Sequence, residues 1–233
     1  MPKITIVLAD DHHIVRGGVS ALLKAEPDMQ VVGESGDGLD TLRLVEELKP
    51  RVLVTDIEIP GISGIEVTRR VTARFPETRV VVLSMYQNEA FVQSALKAGA
   101  MAYVLKDSGP EELKTAIRTA HSGGHYLSPV LSELAFRYYA AGSKNTKETA
   151  YDSLTERERE VLHLLVQGYN NAQVAARLVI SRRTAESHRA NLMRKLGAAN
   201  QADLMRIAMQ IDELQPMLKA KKPGVSAGGP TDL

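Results

Sequence analysis

The chain contains no cysteine, which excludes disulfides and thiolate chemistry and is compatible with a reducing compartment. It also lacks any apolar run close to the roughly 18 residues needed to span a membrane. Met1-Pro2-Lys3 leads directly into a strand-like run rather than a signal peptide. A soluble, cytoplasmic protein is therefore expected. An excess of one charge is missing too: 29 Lys and Arg oppose 28 Asp and Glu, a formal net charge of +1, so bulk charge names no partner. Its distribution says more. Residues 1–127 carry 14 basic against 17 acidic side chains, whereas residues 151–210 carry 9 against 6. An acidic first part and a basic later part point to two modules with different partners.

What is present is an alternation of short apolar strands and amphipathic helices. Ile4–Ala9, Val31–Ser35, Val52–Thr55, Val80–Leu83 and Ala102–Leu105 have strand length. The segments between them repeat apolar residues at helical spacing, as do Val15, Val19, Leu22 and Leu23. Five such alternations imply a parallel sheet covered on both faces. In open α/β sheets, sites form beyond the carboxyl ends of the strands. Asp10 and Asp11, Asp56, Ser84 and Lys106 all stand at such ends. Three carboxylates drawn together repel one another, and a divalent cation relieves that cost. Oxygen ligands of this kind suit Mg²⁺. Phosphoryl transfer needs positioning and charge neutralisation, which leaves Asp56 as the nucleophile, Lys106 as a partner for phosphoryl oxygens and Ser84 as a hydroxyl donor. His12 and His13, as neighbours, read as a solvated helix start rather than a metal pair.

These residues, with Pro60-Gly61 after Asp56 and Tyr103 three positions before Lys106, resemble the receiver domain of two-component response regulators over about residues 3–122. The resemblance implies a flavodoxin-like fold with strand order 2-1-3-4-5. It also implies Mg²⁺ held by Asp11, Asp56 and the main-chain carbonyl of Glu58 with Asp10 close by, a switch pair Ser84 and Tyr103, and a histidine kinase as phosphoryl donor.

Ala140–Lys147 is small, polar and aperiodic, as flexible linkers are, and Leu131 to Tyr139 reads as a short helix. Thr155-Glu156-Arg157-Glu158 has the capping-box pattern of a helix start. A short helix around Val174, Ala175 and Leu178 follows, then a tight connection to Ser181, an N-cap for a helix from about Arg182 to Leu196. Short helix, tight turn, longer helix is the helix-turn-helix layout. On the longer helix Ala185, His188, Leu192 and Leu196 fall inward, with His188 at the edge as a packing group or phosphate contact. Arg183, Glu186, Ser187, Ala190 and Arg194 fall outward, a face that can enter a major groove beside Thr184. Arg182, Arg189 and Lys195 flank it and suit phosphates.

The pattern Leu154-Thr155-Glu156-Arg157-Glu158, Gly168-Tyr169-Asn170-Asn171, Val174-Ala175, Ile180-Ser181, Arg183-Thr184, His188 and Lys195-Leu196-Gly197 is similar to the LuxR-type helix-turn-helix domain over about residues 152–210. Joined to the receiver, it makes the chain similar to NarL/FixJ-type response regulators. Ala185, Ala172-Gln173 and Asn170 depart from the usual family residues. The resemblance implies that the helix after the recognition helix pairs two output domains on DNA, with Leu204, Ile207 and Ala208 as contacts; packing within one domain is the alternative. The expected division is a receiver at 1–124, a linker at 125–151, a helix-turn-helix domain at 152–215 and a disordered tail at 216–233. The expected function is a phosphorylation-dependent, DNA-binding transcription regulator, a homodimer on DNA or when phosphorylated. Phosphorylation would either free the recognition helix from the receiver or promote dimerisation. The competing readings are an aspartyl-phosphate hydrolase, and a phosphorelay or interaction receiver whose helix-turn-helix binds a protein.

Overall fold

The computed structural model describes residues 2–131, 150–211 and 214. The expected linker core at 140–147, most of the helix expected from Leu131 to Tyr139, and the tail at 216–233 lie outside them. The first domain is a parallel sheet, β1 (Ile4–Ala9), β2 (Met29–Ser35), β3 (Val52–Thr55), β4 (Arg79–Ser84), β5 (Ala102–Leu105) and β6 (Tyr126–Leu127), in the order β2-β1-β3-β4-β5-β6. The helices α1 (His13–Lys24), α2 (Gly38–Leu48), α3 (Gly64–Arg74), α4 (Glu89–Lys97) and α5 (Pro110–His121) connect the first five strands and follow the fifth. The strand order expected from the resemblance is confirmed. The sixth strand was not foreseen: Tyr126 and Leu127 stand where the linker was expected to begin, yet they pair with Ala102 and Tyr103.

Buried alternation sorts the strand side chains into two layers. Ile6 and Leu8 of β1, Val52 and Val54 of β3, Val81 of β4 and Val104 of β5 face α1 and α5, packing on Leu23, Leu113, Ala116 and Ile117. Val7, Leu53 and Val80 face the other way, onto Val45 of α2 and Val67 and Val71 of α3. Both faces are covered, so the strands read as continuous apolar runs rather than as alternating ones. All strands being parallel, their carboxyl ends share one rim. The ladder extends to that rim: Asp10 N donates to Ser35 O, Asp56 N to Ala9 O and Lys106 N to Ser84 O, at 2.8–3.0 Å.

The second domain packs α6 (Glu156–Val166), α7 (Asn171–Leu178), α8 (Arg182–Leu196) and α9 (Gln201–Ala208) around one core that includes Leu162, Leu165, Val174, Leu192 and Leu204. Thr155 and Glu158 form the capping box that the sequence predicts for α6, an arrangement whose loss costs about 1 kcal/mol. A second box, Asn170 with Gln173, starts α7. Asn170 thus supplies the same cap as the more usual serine or threonine. The turn between α7 and α8 runs through Val179, a branched residue in the left-handed region at φ 53°. Tyr151, expected to close the linker, is fully buried in this core.

Candidate functional site

Three carboxylates and an ammonium meet at the rim. Asp10 and Asp56 are almost completely buried, and Asp11 beside them is half-buried. Lys106, reaching over from the end of β5, places Nζ 2.7 Å from Asp10 Oδ2 and 2.7 Å from Asp56 Oδ2. Asp56 Oδ1 accepts from Ile57 N at 2.6 Å, and Asp10 Oδ1 accepts from His12 N at 2.8 Å. Burial above all, with a contribution from Asp10, pushes the Asp56 carboxyl up, while Lys106 pulls it down. Burial disfavours the charged Lys106 ammonium, but Asp56 and Asp10 outweigh it and hold the group protonated.

The pocket fits a divalent cation. One lysine cannot neutralise three carboxylates. Asp10 Oδ2 and Asp11 Oδ1 are buried without a well-formed hydrogen bond; the Lys106 ammonium lies beside the first and the His12 ring beside the second. Asp10, Asp11, His12 and Asp56 each bring a ligand atom within 4.8 Å of the others. His12 is the departure from the sequence reading. Its ring is largely exposed, but Nδ1 lies 2.7 Å from Asp11 Oδ1, so it borders the pocket. His13 instead meets Arg16 at 2.6 Å.

Ser84 and Tyr103 are both fully buried. Tyr103 Oη donates to Tyr86 O at 2.7 Å, and Tyr86 N donates to Ser84 Oγ at 3.2 Å, so Tyr86 links the two. Tyr86 in turn donates its hydroxyl to Glu58 at 2.9 Å. Sequence reasoning missed Tyr86 because an aromatic two steps beyond a strand end has no periodic signature.

On α8 the predicted faces hold. Ala185, Leu192 and Leu196 are buried and His188 is half-buried, while Arg183, Thr184, Glu186, Ser187, Ala190 and Arg194 are exposed. The flanking cations divide. Arg182 pairs with Glu186 at 3.0 Å in solvent, a contact of little weight. Arg189 bonds Asn171 and Gln201, and Lys195 sits 2.7 Å from Glu158, so these two brace the domain. The expected pairing residues need correcting. Leu204 and Ala208 are fully buried in the domain's own core and Ile207 is partly buried against it; the apolar stripe of α9 packs on α8 instead of a second copy.

The receiver domain of response regulators matches residues 6–118, and the luxR family of bacterial regulatory proteins matches residues 152–208. An uncharacterized transcriptional regulatory protein, YhcZ of Bacillus subtilis, is 38% identical over 205 residues, covering 88% of this chain and 95% of that protein. The chain belongs to the NarL/FixJ-type response regulators. The oxygen regulatory protein NreC of Staphylococcus aureus is 36% identical over 209 residues, covering 88% of this chain and 96% of its own. Among solved structures, the Salmonella typhimurium response regulator RcsB superposes with a TM-score of 0.55 at 28% identity over 91% of this chain and all of that one. An RcsB–DNA complex gives a TM-score of 0.56 at 27% identity, over 90% and 99%. This response regulator therefore joins a receiver to a LuxR-type DNA-binding domain. Among its described residues, no helix is long and apolar enough to cross a membrane.

In this response regulator the two domains meet along α3. Arg70 is buried and donates to Glu66 at 2.8 Å, to Glu160 of α6 at 2.6 Å and to Glu156 O at 3.0 Å. His163 of α6 is fully buried. Ser63 N donates to its Nδ1 at 3.4 Å, so the ring proton sits on Nε2, 2.7 Å from Tyr151 Oη; the tyrosine hydroxyl then donates to Glu66 at 3.4 Å. Gln167 pairs with the Gly61 peptide, accepting from its N at 3.3 Å and donating to its O at 3.0 Å. Arg177 of α7 bonds Asp37, the N-cap of α2, at 3.1 Å. Sequence reasoning gave Arg70, His163, Gln167 and Arg177 no role. The docked receiver leaves the outward face of α8 exposed.

Proposed function

We propose that Asp56 is the phosphoacceptor of a two-component pair in the cytoplasm, and that its phosphorylation by a histidine kinase controls how output domains pair on double-stranded DNA. The observation that carries this reading is the buried Asp56, held 2.7 Å from Lys106 beside Asp10 and Asp11, on a chain that also presents a clear recognition helix. An Asp56 carboxylate oxygen attacks phosphorus as the bond from phosphorus to the donor imidazole breaks, and the electron pair stays on the leaving nitrogen. Asp10, Asp11, Asp56 and the Glu58 carbonyl would hold Mg²⁺, which when bound would supply charge neutralisation for the transferring group. Lys106 pairs with a phosphoryl oxygen, and the Ser84 hydroxyl donates to another. Ser84 and Tyr103 then transmit the change through Tyr86. The receiver carries out only its own phosphorylation and dephosphorylation.

On the DNA side, Arg183, Thr184, Glu186, Ser187, Ala190 and Arg194 read the major groove, with Arg182, Arg189 and Lys195 reaching phosphates once released from their partners. Pairing through α9 falls to its exposed edge, Ala202, Arg206 and Met209, beside Ile207. RcsB is described as dimers bound to DNA, which supports two-fold pairing here. The test is selection of binding duplexes from a random pool by the full chain with beryllofluoride and Mg²⁺. Enrichment of a site with two half-sites about one helical turn or a multiple apart is expected, weakened roughly tenfold or more by Arg183→Ala. No enrichment in either phosphorylation-mimicking or plain conditions contradicts the reading.

A further inference from the structure

Lys106 stands one residue beyond β5, and its ammonium meets Asp10 and Asp56 at once. Both distances are 2.7 Å, so the course of the main chain at residues 105–108 sets where Nζ lies. That stretch is a turn, closed by Ser108 N donating to Leu105 O at 3.0 Å. On the β4 side, Lys106 N donates to Ser84 O. On the other side, β6 pairs only Tyr126 with Ala102 and Leu127 with Tyr103. The main-chain ladder ends there, as Ser128 N donates to Tyr103 O at 3.0 Å. Leu105 is buried beyond that end. Ser128 supplies the acceptor from its side chain instead: Leu105 N donates to Ser128 Oγ at 3.2 Å.

Ser128 is fully buried, and its hydroxyl has one proton and two acceptor sites. The proton goes to Glu112 Oε2 at 2.8 Å. Ser108 Oγ, 3.1 Å away, is then the donor of the remaining bond. One hydroxyl therefore holds both ends of the turn that carries Lys106, and it is held in turn by a carboxylate in the first turn of α5. Tyr126 Oη donates to the same Glu112 oxygen at 3.4 Å. Packing alone does not call for a hydroxyl at residue 128, since an alanine fills nearly the same volume. We propose that Ser128 and Glu112 are positioning residues for the receiver's phosphoryl chemistry: they fix the turn from which Lys106 reaches Asp56 and, on transfer, a phosphoryl oxygen. This rests on the reading of Asp56 as the phosphoacceptor. Neither residue touches the reacting atoms; both act through the main chain on either side of Lys106. Without the Ser128 hydroxyl, the Leu105 N–H is a buried donor with no acceptor, and the turn relaxes to serve it.

The test is the rate at which the full chain gains a phosphoryl group, by intact mass, with Mg²⁺ and acetyl phosphate. The proteins compared are wild type, Ser128→Ala, Glu112→Ala, Glu112→Gln and Arg118→Ala. Glu112 is half-buried, so its variants decide the matter even where Ser128→Ala fails to fold. Ser128→Ala and Glu112→Ala are expected to slow the reaction about tenfold, the lower end for groups that act by orienting a ligand of the site. Glu112→Gln keeps an acceptor for the Ser128 proton and is expected to return close to the wild-type rate. Arg118→Ala unties the same helix from Asp28 and Glu26 and is expected to match wild type. Wild-type rates in Ser128→Ala and Glu112→Ala overturn the inference and leave the phosphoacceptor standing. Equal slowing by Arg118→Ala, or by Glu112→Gln as much as by Glu112→Ala, also overturns it, since a loosened α5 would then suffice. No gain of mass in any protein, wild type included, removes the phosphoacceptor reading and the inference with it.

Discussion

Asp56 was legible because a carboxylate closing a buried apolar run has one place to go in a parallel sheet, the shared rim. Asp10, Ser84 and Lys106 were legible for the same reason. His163 was not, since a histidine among Val161, Leu162, Leu164 and Leu165 reads as part of an apolar helix face. Its partners are a backbone N–H from residue 63 and a tyrosine twelve positions earlier, and neither spacing leaves a pattern. The structure gives it a definite acid–base consequence. Burial, with the cations of Arg70, Arg69 and Arg159, pushes its pKa down to about 3. Where His163 is exposed, its pKa is near the usual value of about 6.5. Between those values the released or unfolded state binds a proton that the docked state refuses, so docking is fully favoured above pH 6.5 and weakens as pH falls. The slope is at most about 1.4 kcal/mol per pH unit. Small-angle scattering is expected to show the radius of gyration rising between pH 7.5 and pH 5, and His163→Gln is expected to flatten that rise. An equal rise in the variant would assign the titration to other groups.

Among the elements, α3 explains most of what sequence reading could not see. Its apolar stripe, Val67 and Val71, faces the sheet. Glu66 and Arg70 are four apart, a spacing at which ion pairs on exposed helices are common. In the folded chain both are buried, because α6 covers the face they share. A buried pair needs all its hydrogen bonds satisfied, and Glu160, Tyr151 and Arg69 complete them. The other end of α3 depends on Gly64. A Cβ there would lie 1.8 Å from Asp56 O, against backbone that cannot give way. Gly64→Ala is expected to lower receiver stability by about 1–3 kcal/mol or more, read from the urea midpoint; an unchanged midpoint would mean that α3 can move off β3. The helix α9 shows the converse error, since Leu204 and Ala208 at helical spacing signal burial but not against what.

At the scale of the whole molecule, two domains of opposite charge balance are joined so that the outward face of α8 points to solvent while the opposite side of the output domain is locked onto the loop that follows Asp56. Each fold was legible from periodicity and strand-end chemistry. Their relative placement was not, because Gln167 and His163 bond to main-chain atoms, which carry no residue signature. If Asp56 is phosphorylated as proposed, control would act on the docked contact and on pairing through α9. All of this depends on Asp56 accepting a phosphoryl group. The direct measurement is the intact mass of the full chain after incubation with Mg²⁺ and a small-molecule phosphodonor, beside Asp56→Ala. The account predicts one added phosphoryl group in the wild type, absent without Mg²⁺ and absent in the variant. A phosphorylated Asp56→Ala protein would contradict it, as would a wild type that neither gains mass nor binds beryllofluoride.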